Sequence, residues 1–300
     1  MNIKYLRHNE ISKSKWDRCI SLSFNGIVYA YSWYLDIVSY GWGALVLDDY
    51  KAVMPLTTKS NYALNKIVQP AYAPQLGVFT ANKLNVDTVN AFLSAIPAKF
   101  KSVQINLNTF NKASHKKFNI KQGITYELDL IVPYKTLYKK FTGDTRLHIN
   151  KSKKQKINVV KHVNLKDLLL LKKNSSDEPL SFEHMNILRR IIPFCNNHNI
   201  GETFGAYNDK NELVAGAFFI KSHHKSVCLL LACTNDGKKA GADYALYNHY
   251  INEYAEKNLT LDFGSYYVGD KQHIGTCFNS TPVNFNKLKK SRFLWFFNKI

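Results

Sequence analysis

The order of patterns along this chain predicts a mixed α/β (α+β) fold built twice over. Three features point there. Two short apolar runs, Val214–Ile220 and Val227–Cys233, have the length and bounds of buried strands. Polar turns join strand-like segments into a hairpin in each half, at Asp48-Asp49-Tyr50 and at Asn208-Asp209-Lys210-Asn211. Helix-period segments then follow, giving hairpin, strand, helix and strand in residues 1–130 and again in 131–300. The recurrence is one of pattern, not of residue identity.

In the first half, Ser14–Ser23 and Tyr31–Tyr40 read as short helices, the second rich in aromatics. Ala44–Val46 and Ala52–Leu56 form the hairpin, with Pro55 closing its second strand. Lys66–Gln69 and Gln75–Phe79 read as one strand broken by the Pro70–Pro74 bend. Val86, Val89, Phe92, Leu93 and Ile96 recur at helical spacing, and Val103–Leu107 alternates as a strand. In the second half, Tyr134–Phe141 opens a basic helical segment and Ile157–Val163 is a strand. Leu165–Lys173 and Phe182–His198 are helices, the latter capped by Ser181 and bent by Pro193. Gly201–Tyr207 and Glu212–Lys221 form the second hairpin, followed by strand Val227–Thr234, helix Asp243–Glu256 and strand Leu259–Phe263.

Composition narrows the class of function. Hydrophobic residues make up 45% and aromatics 13%, enough for a packed core and too much for a disordered chain. The longest apolar runs fall far short of the roughly 20 residues of a membrane span, and the N-terminus has no apolar signal-peptide core. The expectation is a protein of the cytoplasm, or of the inner face of a membrane, without an integral membrane segment. Five scattered cysteines with no CxxC pair predict reduced thiols used in packing, not a disulfide framework or a zinc knuckle.

The net charge of +19 is unevenly spread. Residues 135–166 hold ten basic residues and one acid, Asp144, which is nearly half of the total. Residues 284–300 add Lys287, Lys289, Lys290, Arg292 and Lys299 with no acid. Such clusters are either solvated faces or electrostatic footprints for phosphates.

One segment combines a strand end, glycines and lysines. Strand Val227–Cys233 runs into Thr234, Asn235, Asp236, Gly237, Lys238, Lys239, Ala240, Gly241 and Ala242, with a helix from Asp243. Glycines at such a junction let backbone N–H groups approach a phosphate, and the helix dipole adds positive potential. A plain turn is the alternative. The segment matches neither GxGxxG nor GxxxxGK[ST], so Rossmann and P-loop nucleotide chemistry are not supported.

Several ordered segments carry a resemblance. They are Trp33-Tyr34-Leu35-Asp36, Ala52-Val53-Met54-Pro55-Leu56, Gln69-Pro70 and Gln75-Leu76-Gly77-Val78-Phe79 in the first half. Ala215-Gly216-Ala217-Phe218-Phe219 and Leu261-Asp262-Phe263-Gly264-Ser265 follow in the second. Together they resemble the Fem-like, BioF-associated acetyltransferase-like branch of the GNAT superfamily, most of all its uncharacterised Bacteroidetes-type members. The resemblance implies tandem GNAT-like domains, each a mixed, mostly antiparallel sheet flanked by helices, facing each other across a cleft. Residues 1–130 would be the acceptor side and 131–300 the donor-binding side. It further implies transfer of an acyl or aminoacyl group to an amine, from acyl-CoA (acetyl-CoA), an acyl carrier protein or aminoacyl-tRNA. Donor phosphates would lie near Thr234–Ala242, supported by Arg146 and Lys151 of the basic segment. Two departures stand out: Phe278-Asn279-Ser280 replaces a Phe-Gly pair, and the basic motif is loosened to Arg146-Leu147-His148-Ile149-Asn150-Lys151.

Acyl transfer needs an amine freed of its proton, a polarised carbonyl and a protonated leaving group. Asp262 is the candidate proton acceptor, or else caps the turn at Gly264. Tyr267, with Tyr266 beside it, is a candidate acid for a leaving thiolate, or packs at a rim; Ser265 is a weaker acid or holds the turn. Trp33, Tyr34, Tyr72 and Gln75 are candidates to line an acceptor pocket, although Trp33 and Tyr34 cannot share one helix face. The ten histidines include no HExxH, and no GxSxG elbow exists, so neither a metal centre nor a serine hydrolase is expected. The expected acceptor is a small-molecule or cell-envelope amine, with tRNA as a further partner and a monomer or weak dimer as the assembly. The competing expectation is a non-catalytic basic protein that binds tRNA, other nucleic acid or an anionic envelope precursor.

Overall fold

The structure is a computed structural model that describes residues 2–61, 64–175, 181–264 and 274–291. The chain forms two compact units, one of residues 1–124 with 283–300 and one of residues 125–282. Residues 283 onward thus group with the first unit. The physical reason lies in their side chains. Phe285 and Leu288 are buried, and the strand that carries them pairs within the first unit.

In chain order the first unit holds β1 (Ile3–Leu6), α1 (Lys13–Leu22), α2 (Ser32–Val38), β2 (Gly43–Leu47) and β3 (Ala52–Leu56). It continues with β4 (Thr58–Asn61), β5 (Leu64–Ile67), β6 (Phe79–Thr80), α3 (Val86–Ser94), β7 (Ser102–Asn106) and the start of β8 (Asn119–Asp129). Strands β1, β2, β3 and β6 form one antiparallel sheet. α1 buries Trp16, Cys19 and Ile20, a helical spacing that turns one face inward. Its Asp17 carboxylate accepts both the backbone N–H and the hydroxyl of Ser32 at 2.7 Å, so α1 fixes the start of α2. Near Gly77, whose φ is +118°, Asn111 accepts the Val78 N–H at 2.6 Å and closes the bend.

The second unit holds α4 (Tyr134–Lys140), α5 (Gly143–Lys154), β9 (Asn158–Lys161), α6 (Leu165–Ser175), α7 (Phe182–Asn197) and β10 (Gly201–Tyr207). Then come β11 (Leu213–Ser222), β12 (Lys225–Cys233), α8 (Asn235–Ala240), α9 (Ala242–Tyr254), β13 (Thr260–Asp262) and α10 (Ile274–Cys277). β14 (Thr281–Ser291) leads back to the first unit and pairs with β7, Lys287 opposite Asn106 and Lys289 opposite Gln104. The second unit's sheet runs β9, β10, β11, β12, β13 and the end of β8. Among the described residues only the β12–β13 pair is parallel there.

Helices cover both faces of that sheet, which is why β11 reads as a continuous apolar run. Ala215, Ala217 and Phe219 face α9, where Phe219 stacks on Tyr250 with ring centroids 3.8 Å apart. The alternate residues Gly216 and Phe218 face the other helices; a side chain at position 216 would strike Leu168 of α6. Ser181 caps α7 by accepting the His184 N–H, as expected from sequence. Cys19, Cys195, Cys228 and Cys233 are buried and free, and desolvation pushes the last three thiols up to about 12. Such thiols are packing groups. No helix among the described residues is long and apolar enough to cross a membrane.

A polar network pins α9 to the sheet edge. Glu202 of β10 accepts from the Tyr254 hydroxyl at 2.5 Å and pairs with Lys161 at 3.3 Å and Lys221 at 3.2 Å. Lys161 also pairs with Glu253. Burial alone raises the Glu202 pKa, but Tyr254, Lys221 and Lys161 outweigh it and the net shift is downward from 4.5. A depressed carboxylate adds stability above its unfolded pKa and loses it as pH falls through the folded value. Glu202→Gln is therefore expected to cost about 2 kcal/mol at neutral pH, with the deficit shrinking below about pH 4. Urea denaturation at the two pH values checks this; an equal deficit at both contradicts it.

Candidate functional site

The second unit contains one place where neighbouring strands part. β12 and β13 pair in parallel over Lys225–Thr260, Ser226–Leu261 and Val227–Asp262. β13 then ends, whereas β12 runs on to Cys233. Beyond Val227 no strand among the described residues pairs with β12 on that side. Ligands in sheets of this kind bind beyond the carboxyl ends of parallel strands, where the two diverge.

Asp262 sets the geometry of that divergence. Its Oδ1 accepts the Gly264 N–H at 2.8 Å and the Thr125 hydroxyl at 2.6 Å, and Gly264 sits at φ +81°. Its Oδ2 stands 3.9 Å from the Lys225 ammonium, which pairs more closely with Glu127 at 2.5 Å. Of the two roles open from sequence, this geometry favours the turn cap. Ser265, Tyr266 and Tyr267 lie outside the described residues.

The glycine-bearing segment after β12 is not the open loop expected from sequence. Asn235–Ala240 is a short helix, α8, capped by Thr234, whose hydroxyl accepts the Gly237 N–H at 2.9 Å. Gly241, left-handed at φ +77°, closes α8 and starts α9. The glycines serve close packing. A Cβ at Gly237 would stand 2.5 Å from the Val214 carbonyl oxygen, and one at Gly241 would stand 2.6 Å from that of His148. Lys238 and Lys239 are exposed, the latter 3.5 Å from Asp236.

The contact at Gly241 brings two sets of sequence candidates together, because His148 lies between Arg146 and Lys151 on α5. Thr142 caps this helix, and the Thr145 hydroxyl ties it to the Cys277 carbonyl at 2.7 Å. Arg146 is half-buried and donates to the Lys139 carbonyl at 3.0 Å, while Lys151 is exposed. α5 thus packs its His148 backbone against the α8–α9 joint. In the first unit, Trp33, Tyr34, Tyr72 and Gln75 gather around the 69–77 bend. Tyr34 is fully buried and donates to the Tyr72 carbonyl at 2.5 Å, so it is a core pillar and not a pocket wall. Tyr72 and Gln75 are buried, and Trp33 is half-buried against Tyr34.

Three further groups stand here: His148, for which sequence favoured simple surface exposure but which is half-buried, and Asp243 and Lys172, which escaped the sequence reading. The His148 ring stacks on Tyr244 at 4.4 Å, and its Nδ1 is buried without a hydrogen-bond partner among the described residues. Asp243 lies beside it in the first turn of α9; desolvation raises its pKa, against hydrogen bonds from the Tyr244 and Asp243 backbone and the charges of His148 and Lys238. Lys172 of α6 donates to the Leu231 carbonyl of β12 at 3.2 Å, and burial followed by the Lys238 charge lowers its pKa. The only sequence signal for Lys172 was a lysine at the end of a leucine-rich helix. Among the described residues no cluster of His, Cys, Asp or Glu stands where it can hold a metal ion.

The architecture matches known structures at low identity. FemX aligns with 95% of this chain and 97% of its own, at TM-score 0.65 and 12% identity. A conserved protein of unknown function from Bacteroides thetaiotaomicron VPI-5482 aligns over 94% and 98%, at TM-score 0.58 and 11% identity. The C-terminal domain of a proposed lysylphosphatidylglycerol synthetase from Agrobacterium fabrum aligns over 93% and 92%, at TM-score 0.56 and 8% identity. The fold is therefore the mixed α/β one that FemX has. No family model matches the chain, and no curated protein matches it.

Asp243 supplies a test of the site's electrostatics. A carboxyl with a raised pKa contributes most stability below its unfolded pKa of 3.8 and loses it as pH rises through the folded value. Asp243→Asn keeps an acceptor for the Tyr244 N–H, bonded at 3.0 Å. Its Tm is expected to exceed that of the native chain at about pH 7.5, with the margin gone near pH 3.5. Thermal denaturation across that range checks this, and a lower relative Tm at the higher pH contradicts it.

Proposed function

We propose that the chain is an N-acyltransferase of the Fem-like branch of the GNAT superfamily, of the Bacteroidetes type, acting in the cytoplasm. It takes an acyl or aminoacyl group from a phosphate-bearing donor and places it on an amine. One observation carries this reading: the parting of β12 and β13, with the basic helix α5 packed against the α8–α9 joint that follows β12. A donor lying along the free side of β12 meets unpaired strand backbone for its amide groups. Its phosphates meet Arg146, Lys151, Lys238 and Lys239.

In the reaction the acceptor nitrogen attacks the donor carbonyl, an amide bond forms, and the bond to the leaving thiol or hydroxyl breaks. The amine proton leaves to a base and the leaving group gains one. Asp262 acts as a positioning residue that holds Gly264 at the end of β13, and Ser265 is a weaker acid candidate. Tyr267 is the candidate acid. Trp33, Tyr72 and Gln75 are the candidates for the acceptor side. Similarity to FemX and to a protein named for lysylphosphatidylglycerol, a product that carries an aminoacyl group, supports aminoacyl-tRNA as donor beside acyl-CoA and acyl carrier protein.

Mass spectrometry of the natively purified protein, followed by calorimetry with acetyl-CoA, long-chain acyl-CoA and aminoacyl-tRNA, tests the reading. One donor class is expected to bind, and Arg146→Gln with Lys151→Gln to weaken it about tenfold. Binding by none of them contradicts the proposal. Binding without amine-dependent turnover marks the competing reading, a non-catalytic binding protein.

A further inference from the structure

The second unit carries a lysine that plays no part in the acyl transfer proposed above. Lys172 stands in the last turn of α6, and α6 packs on β11 and β12. It is half-buried, and its Nζ donates to the Leu231 carbonyl at 3.2 Å. The side of β12 on which that carbonyl lies follows from the ladder. Thr234 donates to the Val214 carbonyl, and Ala215, Gly216 and Ala217 then stand opposite Cys233, Ala232 and Leu231. Bonded and unbonded pairs alternate between antiparallel strands, so Gly216–Ala232 is bonded and Ala217–Leu231 is not. The Leu231 N–H and C=O therefore point away from β11, to the side on which β13 has already stopped.

A bulge sets this direction. Phe218 and Phe219 pair with Leu230 and Cys228, which leaves Leu229 as an extra residue in β12. An extra residue reverses which alternate carbonyls face outward, and bulges re-aim groups beside active sites. Before the bulge the outward carbonyls belong to even positions, as His224 shows by accepting from Thr260 of β13. Beyond it Leu231 takes that place. The surroundings of Lys172 suit a neutral amine. Burial lowers its pKa; among the described residues the Cys228 thiol opposes this and the charge of Lys238 on α8 adds to it. Nucleophilic lysines are of this kind, desolvated or beside a second cation. A neutral amine has two N–H bonds and one lone pair, so it keeps its bond to the Leu231 carbonyl while the lone pair attacks an acyl carbon.

We propose that Lys172 is a self-acylation site, whose Nζ takes the acyl or aminoacyl group of a donor held along the free side of β12 and keeps it as an amide. The inference rests on the acyl-transfer reading, because the donor must lie there for its carbonyl to meet this lysine. A donor whose phosphates meet Lys238 and Lys239 starts just past Cys233, so its arm runs back along β12 past Leu231. The ammonium first releases one proton to solvent. The nitrogen then attacks the donor carbonyl, a C–N bond forms, and the C–S bond of a thioester or the C–O bond of an ester breaks. The nitrogen sheds a second proton, which the leaving thiolate or alkoxide takes up, so the step balances without a further reactant. The amide keeps one N–H for the Leu231 carbonyl. Its acyl group fills the free side of β12, so each chain reacts once and then excludes further donor.

The test is peptide mapping by mass spectrometry after incubating the full-length protein with acetyl-CoA, palmitoyl-CoA or alanyl-tRNA as separate arms. Calorimetry with the inert analogues desulfo-CoA and deacylated tRNA reports binding alongside. In at least one arm Lys172 is expected to be labelled about tenfold faster than the exposed Lys238 and Lys239, and the matching analogue to suppress that labelling. The rate at Lys172 is expected to level off below pH 10.5, the ordinary lysine value. In urea the three lysines are expected to react alike. Lys172→Arg keeps a cation that cannot deprotonate, so it is expected to bind the analogue within about twofold of the native chain and to lose the fast labelling phase. Should that variant fail to fold, the order of labelling in the native chain and its suppression by the analogue carry the test. Analogue binding without fast labelling of Lys172, or labelling that the analogue fails to suppress, overturns the inference and leaves the acyl-transfer reading standing. Binding of neither analogue overturns both.

Discussion

The parallel pairing of β12 with β13, stopped after three residue pairs, is the constraint on which the second unit depends. Parallel neighbours need a crossover, and α8 with α9 supplies it. Because the crossover must lie on the sheet, α9 buries Leu246, Tyr247, Tyr250 and Ile251. Because the strands part, the Asp262–Gly264 turn needs its own anchor, which Thr125 of β8 provides. The position of the basic helix α5 follows from the same arrangement. Its His148 carbonyl comes so close to the α8–α9 joint that only a glycine fits at 241.

The charge distribution acquires a structural meaning from these contacts. A net +19 invites a nucleic-acid reading, but much of it is placed in two defined settings. One is α5 with α8 in the second unit. The other is the face of β7 and β14 in the first, where buried Leu288 and Ile105 fix which side Lys287 and Lys289 take. Elsewhere lysines are absorbed by carboxylates, as Lys161 and Lys221 are by Glu202.

Most of the second unit was legible in the sequence because its signals were local. The Asn208–Asn211 turn, the Ser181 cap and the apolar β11 and β12 runs each declare themselves within a few residues. β8 and β14 were missed for the opposite reason. NIKQGITYELD and TPVNFNKLKKS are mostly polar, and only pairing with distant strands reveals which alternate side chains are buried. α8 was read as a phosphate loop because glycine marks both loops and close helix approaches, and only tertiary contacts at Val214 and His148 distinguish them. Tyr34 was read as a pocket wall because an aromatic beside Trp33 suits either role; its hydroxyl bond to the Tyr72 carbonyl is a contact across the chain. Asp262 was legible as a turn cap, since Gly264 follows it by two residues.

The central claim is that the free side of β12 and the adjoining α5–α8 cations hold the acyl donor. Hydrogen–deuterium exchange of the full-length protein, with and without a saturating donor analogue, tests it most directly. The account predicts new protection of amides in residues 228–240 and 143–154. Protection confined to residues 102–121 and 283–291, or none in the second unit with donor bound, would contradict it.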